Sequence, residues 1–160
     1  MAKLNSFKEV QSLLLDTDVI VNWLTKEVET QTAKDLWTAP YRIISLIENK
    51  KLKGFTNLTT LLEIRFLLRR KREFTEQQIE KFINEMAEVL EVVIPDEISL
   101  LESNRLQSEN LLDPFDAILL GVSITLKPII FVSRDKEFLK IASSFIPAFT
   151  PENFLQQYNK

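Results

Sequence analysis

Three short runs of uninterrupted apolar residues constrain this chain most: LLL at 13–15, VVI at 92–94 and IIFV at 129–132. Each has the length of a strand, and none alternates with polar residues as a strand with one wet face would. They read as strands covered on both sides, the situation found in parallel sheets. Between them lie segments with apolar residues every three or four positions, the spacing of amphipathic helices. Strands that alternate with helices imply crossover connections. The expected fold is therefore α/β: a three-layer sandwich around a central, mostly parallel, twisted sheet of about five strands, formed as a single domain over residues 1–160.

Taken in order, SLLLD reads as a strand and DVIVNWLTKE as the helix after it. TAKDLWTAPYRIISLIENKKL gives one or two amphipathic helices around Pro40, and LKGFTNL a strand. TLLEIRFLLRRKR and TEQQIEKFINEMAEVL follow as helices, then EVVIP as a strand and DEISLLESNRLQSEN as a helix. DPFDAILLGVSITL is an apolar helix, PIIFVS a strand, KEFLKIASS a short helix and IPAFT a last short strand. The most apolar window, AILLGVSITLKPIIFV, is interrupted by Lys127-Pro128. It falls short of the ~20 residues of a membrane span. With no secretory-type apolar segment in MAKLNSFKEVQS, a cytoplasmic protein without membrane contact is expected.

Composition narrows the chemistry. The chain has no histidine and no cysteine, which removes Ser-His-Asp triads, thiolate nucleophiles and the usual zinc ligands. Its two glycines, Gly54 and Gly121, cannot build a glycine-rich phosphate loop. The net charge of −3 argues against bulk attraction to nucleic acid, leaving room only for a local basic patch. Catalysis, if present, must rest on carboxylates, hydroxyls, Lys and Arg.

Carboxylates recur where such a sheet would bind ligands, beyond the carboxyl ends of its strands. Asp16 and Asp18 follow LLL, Glu63 follows GFTNL by one helical turn, Asp113 and Asp116 open the apolar helix, and Asp135 follows IIFVS. Several carboxylates in a small volume repel one another, and a divalent cation relieves the repulsion. Oxygen-only ligands favour Mg²⁺ or Mn²⁺ over zinc. A purely structural reading stands beside this one. Thr60-x-x-Glu63 has the form of a capping box, with Thr60 at N-cap. Asp113-Pro-Phe-Asp116 places Asp at N-cap and Pro at N1, and Asp135 also suits an N-cap. Capping explains less well why two acids, Asp16 and Asp18, terminate a buried strand.

The segments LLLDTDVIVNWL, NLTTLLEIRFL, LLDPFDAILLGVSI and IIFVSRDKEF, in that order, resemble the PIN-domain nucleases, most closely the VapC-type toxins of prokaryotic toxin–antitoxin pairs. The likeness extends over about residues 12 to 150. It implies Asp16, Glu63, Asp116 and Asp135 as ligands for one or two Mg²⁺ or Mn²⁺ ions and as the catalytic acids, with Thr60 and Ser133 as supporting hydroxyls. Asp18 departs from the family pattern, which more often has Asn or Ser there; it is expected beside the ligands rather than among them. Asp113 has no assignable counterpart and is left as a cap. The implied activity is endoribonucleolytic cleavage of RNA, with a cognate antitoxin protein and a homodimer as the implied assemblies.

Arg65, Arg69 and Arg72, spaced i, i+4, i+7, would share one helix face leading away from the acids. They either contact substrate or complement the helix C-terminal dipole. The run TAKDLWTAPYRIISLIENKKL would suit a dimer or antitoxin surface, but suits the protein's own core better, as do Trp23, Trp37 and Phe55. Three rivals remain. DTD resembles the DxD of HAD-type phosphotransferases with Asp16 as nucleophile, but Ile20 replaces the expected Thr or Val. A response-regulator receiver would need a phosphorylatable Asp ending a middle strand. A PIN-like module that binds RNA or protein without cutting has no need of all four acids.

Overall fold

The computed structural model describes residues 10–159. Five parallel strands form one sheet in the order β3-β2-β1-β4-β5: β1 Ser12–Leu15, β2 Lys53–Asn57, β3 Glu91–Val93, β4 Ile130–Val132 and β5 Ala148–Phe149. α1 (Thr17–Thr25) and α2 (Thr38–Glu48) connect β1 to β2, and α3 (Leu58–Lys71) and α4 (Glu76–Val89) connect β2 to β3. α5 (Glu97–Glu109) and α6 (Pro114–Thr125) carry the chain from β3 past β1 to β4, α7 (Lys136–Ala142) leads to β5, and α8 (Pro151–Tyr158) follows.

Side chains alternate across β1, so the sheet separates two cores. Leu13 and Leu15 point into a cluster with Ile20, Ile43, Ile64, Met86 and Phe154, from α1 to α4 and α8. Leu14 points the other way, against Leu106, Leu120, Phe131 and Phe138 of α5, α6, β4 and α7. This is the three-layer sandwich expected. Direction along the sheet reverses at β1: β2 and β3 add on one side, β4 and β5 on the other. The crevice between β1 and β4, at their carboxyl ends, is the topological switch point.

Several expectations need correction. VVI is not buried on both faces: β3 is an edge strand, Val92 and Val93 are half-buried and Ile94 is 72% exposed. Of the one or two helices expected around Pro40, one forms, α2, and Pro40 sits in its first turn, where a missing N–H costs nothing. Thr60 does not cap α3. The helix starts at Leu58 because Asn57 is the N-cap, its Oδ1 accepting from Thr60 N–H. A side chain at the strand's last residue captured the start that the Thr60-x-x-Glu63 spacing suggested. Glu63 therefore lies in the second turn rather than at N3. Arg72 leaves the helix face, occupying the left-handed C-cap with φ 55°. α8 was not foreseen, although Thr150 caps it and Pro151 opens it. Trp23 is core, as expected, whereas Trp37 and Phe55 are only half-buried. The core role favoured for the 32–52 run holds for Ile43, Ile44 and Ile47. Among the described residues no helix is long and apolar enough to cross a membrane.

α5 and α6 pack closely because Gly121 lacks a side chain. A Cβ there would lie 2.7 Å from the carbonyl oxygen of Ser99 and 3.2 Å from the backbone nitrogen of Ser103. Backbone cannot yield as a side-chain tip would. Gly121→Ala should therefore lower unfolding free energy by about 1–3 kcal/mol, read from urea denaturation, despite alanine's better helix propensity.

Candidate active site at the switch point

Asp16 continues β1 by one residue: its N–H donates to the Val132 carbonyl at 3.0 Å. It is also the N-cap of α1, with Oδ1 accepting from Thr17 N–H at 2.7 Å. Its other oxygen accepts from the Ser133 hydroxyl at 2.7 Å, across the switch point. Thus Ser133, the residue after β4, fixes the acid after β1. Asp16 is only 8% exposed. Burial first, then the charge of Asp18, holds its pKa well above the ordinary carboxylate value, against the lowering hydrogen bonds from Ser133 and Thr17.

Glu63 reaches the same region from α3. Its Oε2 accepts from the Thr17 hydroxyl at 3.0 Å, so Thr17 links Glu63 to the first turn of α1. Asp113 caps α6, accepting from Phe115 N–H at 2.8 Å and Asp116 N–H at 3.0 Å. Asp116 is thereby held at the third position of that helix. Asp135 caps α7, accepting from Phe138 N–H at 3.0 Å. The caps foreseen at Asp113 and Asp135 are present, and they coexist with the clustering.

The acids feel one another. Asp116 is pushed up to about 7, by burial first and then by Asp113, Asp135 and Glu63. Glu63 is raised by burial, with Asp113 and Asp18 adding to it. Among the described residues, the charges acting most strongly on these two acids are negative. Asp18 differs. Burial raises it as well, but Arg134 opposes this with a backbone N–H and its positive charge. Asp18 Oδ1 accepts from Val19 N–H at 2.6 Å and Oδ2 from Arg134 N–H at 2.9 Å. The extra carboxylate thus fastens α1 to the turn after β4.

The donor set fits a hard divalent cation: oxygen ligands only, concentrated negative charge, and Thr17 and Ser133 already holding two of the carboxylates. Asp16, Glu63, Asp116 and Asp135 are the residues that could hold it. As positioned, no three acidic side chains among the described residues stand close enough to clasp one ion. Binding would have to draw them together against their repulsion. Thr60, expected to support the ligands, instead spends its hydroxyl near Asn57, at 3.4 Å. Arg65 and Arg69 are paired with Glu76 and Glu80 of α4, with contacts of 2.5 to 3.3 Å. Thr17, Asn22 and Arg134 went unrecognised in the sequence. An arginine directly after a strand, inside an acid-rich turn, was the available signal for Arg134.

The raised acids make a stability prediction with a definite sign. A folded-state pKa above the unfolded value favours the fold while the group is protonated, and this contribution is lost as pH rises through the folded pKa. For Asp116 the window runs from its ordinary 3.8 to about 7. In chelator, melting temperature should fall between pH 5 and pH 8. Asp116→Asn should fall less, by on the order of 1 kcal/mol after allowance for solvent screening, or ~3 °C. Parallel melting curves of the two proteins would refute this.

Comparison with known proteins agrees with this architecture. A family model described as "PIN domain" matches residues 12–137. No curated protein sequence matches the chain. Among solved structures, VapBC2 from Rickettsia felis bound to a promoter DNA fragment superposes with TM-score 0.66 at 13% identity, covering 86% of this chain and 98% of that one. DNA-bound VapBC from Salmonella typhimurium gives 0.66 at 15% identity, covering 89% and 98%. PAE2754 from Pyrobaculum aerophilum gives 0.62 at 16%, covering 92% and 94%. At such identities these structures speak for the fold. Together with the family match over most of the sequence, they lead to one conclusion: the chain belongs to the PIN-domain family.

Proposed function

We propose that this protein is a divalent-metal-dependent endoribonuclease, the toxin of a VapBC-type toxin–antitoxin pair. The observation that carries the reading is the gathering of Asp16, Glu63, Asp116 and Asp135 at the switch point, under mutual repulsion that a cation would relieve. When bound, Mg²⁺ or Mn²⁺ supplies positive charge at the scissile phosphate and acidifies a neighbouring water. The chain's own work is placement. Ser133 orients Asp16 through its hydroxyl, and Thr17 orients Glu63. The N-termini of α1, α6 and α7 direct their positive ends toward the acids, making charge concentration there tolerable.

RNA is the substrate in this reading. Arg65 and Arg69 exchange their α4 carboxylate partners for phosphates, and Arg70 and Arg72 extend the basic surface. Exposed pairs of this kind are weak, so the exchange costs little. The solved complexes named VapBC support a protein partner for this chain as well. A second copy is proposed to pack on the exposed apolar stripe of Leu58, Leu62 and Phe66 along α3. The absence of a spanning helix among the described residues is compatible with work in the cytoplasm.

The test is cleavage of a structured RNA by purified protein in Mg²⁺ or Mn²⁺. Activity should vanish in chelator and fall at least ~100-fold in Asp16→Asn. Metal-dependent phosphate-ester turnover without RNA cleavage would instead favour phosphotransfer from Asp16. In the same preparation Arg65→Ala should weaken RNA binding and flatten its salt dependence, leaving maximal rate at saturating RNA little changed.

A further inference from the structure

A polar chain that the proposed reaction does not use adjoins the acids through Asp18, and Arg134 is its centre. The residue lies between Ser133, which holds Asp16, and Asp135, which caps α7. Its backbone N–H donates to Asp18 and its Nε donates to Asn22 Oδ1 at 2.5 Å. Asp18 and Asn22 are four residues apart and stack on one face of α1, so a single turn of helix grips both the main chain and the side chain of Arg134. The other end of the guanidinium donates to the Leu36 carbonyl at 2.7 Å and, through both terminal nitrogens, to the carboxylate of Glu152 at 2.8 and 3.1 Å. Asn22 in turn donates to Glu27, which also accepts from Lys71 at 2.8 Å. Only 16% of the Arg134 side chain is exposed, and Asn22 is buried. Fully satisfied networks of this kind fix one arrangement of the groups they join.

We propose that Arg134, anchored by Asn22 and by Glu152 of α8, is a positioning residue for the active site. It locks the Ser133–Asp135 turn so that Ser133 keeps Asp16 aimed and Asp135 faces the other acids. This rests on the metal-dependent reading above for what the turn is held in place to do. Support of this sort, one step removed from a metal's ligands, commonly governs affinity by 10–100-fold. The fork geometry matters as much as the charge: a lysine ammonium cannot span Asn22, the Leu36 carbonyl and both oxygens of Glu152 together.

Two measurements on the full chain test the proposal, using Glu152→Gln, Arg134→Lys and Arg134→Met. Amide exchange by NMR reads the lock without metal. The N–H groups of Arg134 and Asp135, bonded to Asp18 and Ser133, should exchange ~10-fold faster in Glu152→Gln while the amides of β1 keep their protection. Calorimetric titration with Mn²⁺ reads the consequence. Affinity should fall about 10-fold in Arg134→Met, and Arg134→Lys should not restore it. Unchanged exchange at both amides would overturn the lock. Faster exchange with wild-type Mn²⁺ affinity, or full recovery in Arg134→Lys, would reduce Arg134 to a structural residue or a mere charge and overturn the positioning role. Absence of Mn²⁺ binding to the wild type would instead sink the metal-dependent reading and the role resting on it. Should Arg134→Met fail to fold, Glu152→Gln carries both measurements, since it leaves the arginine in place.

Discussion

The pairing of β1 with β4 is the contact on which the rest depends. It joins strands more than a hundred residues apart, aligning Leu15 with Val132. The next residues in that register, Asp16 and Ser133, therefore meet as a hydrogen-bonded pair. Because the chain moves away from this seam in opposite directions, a crevice opens at the strands' carboxyl ends. Into it project the first turns of α1, α6 and α7, each bringing an acid at or near its cap. Slip that pairing by one residue and Ser133 would face the wrong side of the sheet.

The acids perform two tasks whose energetics differ in sign. As caps, Asp16, Asp113 and Asp135 satisfy backbone N–H groups that would otherwise lack partners, each cap contributing about 1 kcal/mol. As a group the acids resist charge: burial first, and then neighbouring carboxylates, raise Asp16, Glu63 and Asp116 above their ordinary values. Local capping thus helps hold together an arrangement that electrostatics alone would disperse. Asp18 shows the same compromise resolved differently, with Arg134 opposing the burial that raises it.

Much of this was legible in the residues. The three apolar runs marked β1, β3 and β4, and Asp16 and Asp135 stood out because each directly follows or closely trails such a run. What was hidden shares one cause: it depends on partners remote in sequence. β3 reads like a buried strand, and only the strand order makes it an edge. The start of α3 was misread because Asn57, the last residue of a strand, is also a competent cap. Asn22, Arg134 and Glu152 look like ordinary polar residues until folding brings three distant segments together. α8, by contrast, carries a local signal, its Thr-Pro-Glu opening, with Thr150 as the cap and Pro151 at the first position.

The same remoteness has a consequence for when the site comes into being. Ser133 and Asp16 are separated by 117 positions, and Arg134 and Asn22 by 112. Contacts of such separation form late, after the loops between them have been closed. A growing chain that has exposed only its first hundred residues holds Asp16 and Glu63 but neither Asp116 nor the turn after β4. The assembled cluster is thus a product of finished folding. During its own synthesis, the polypeptide passes through every earlier stage without it.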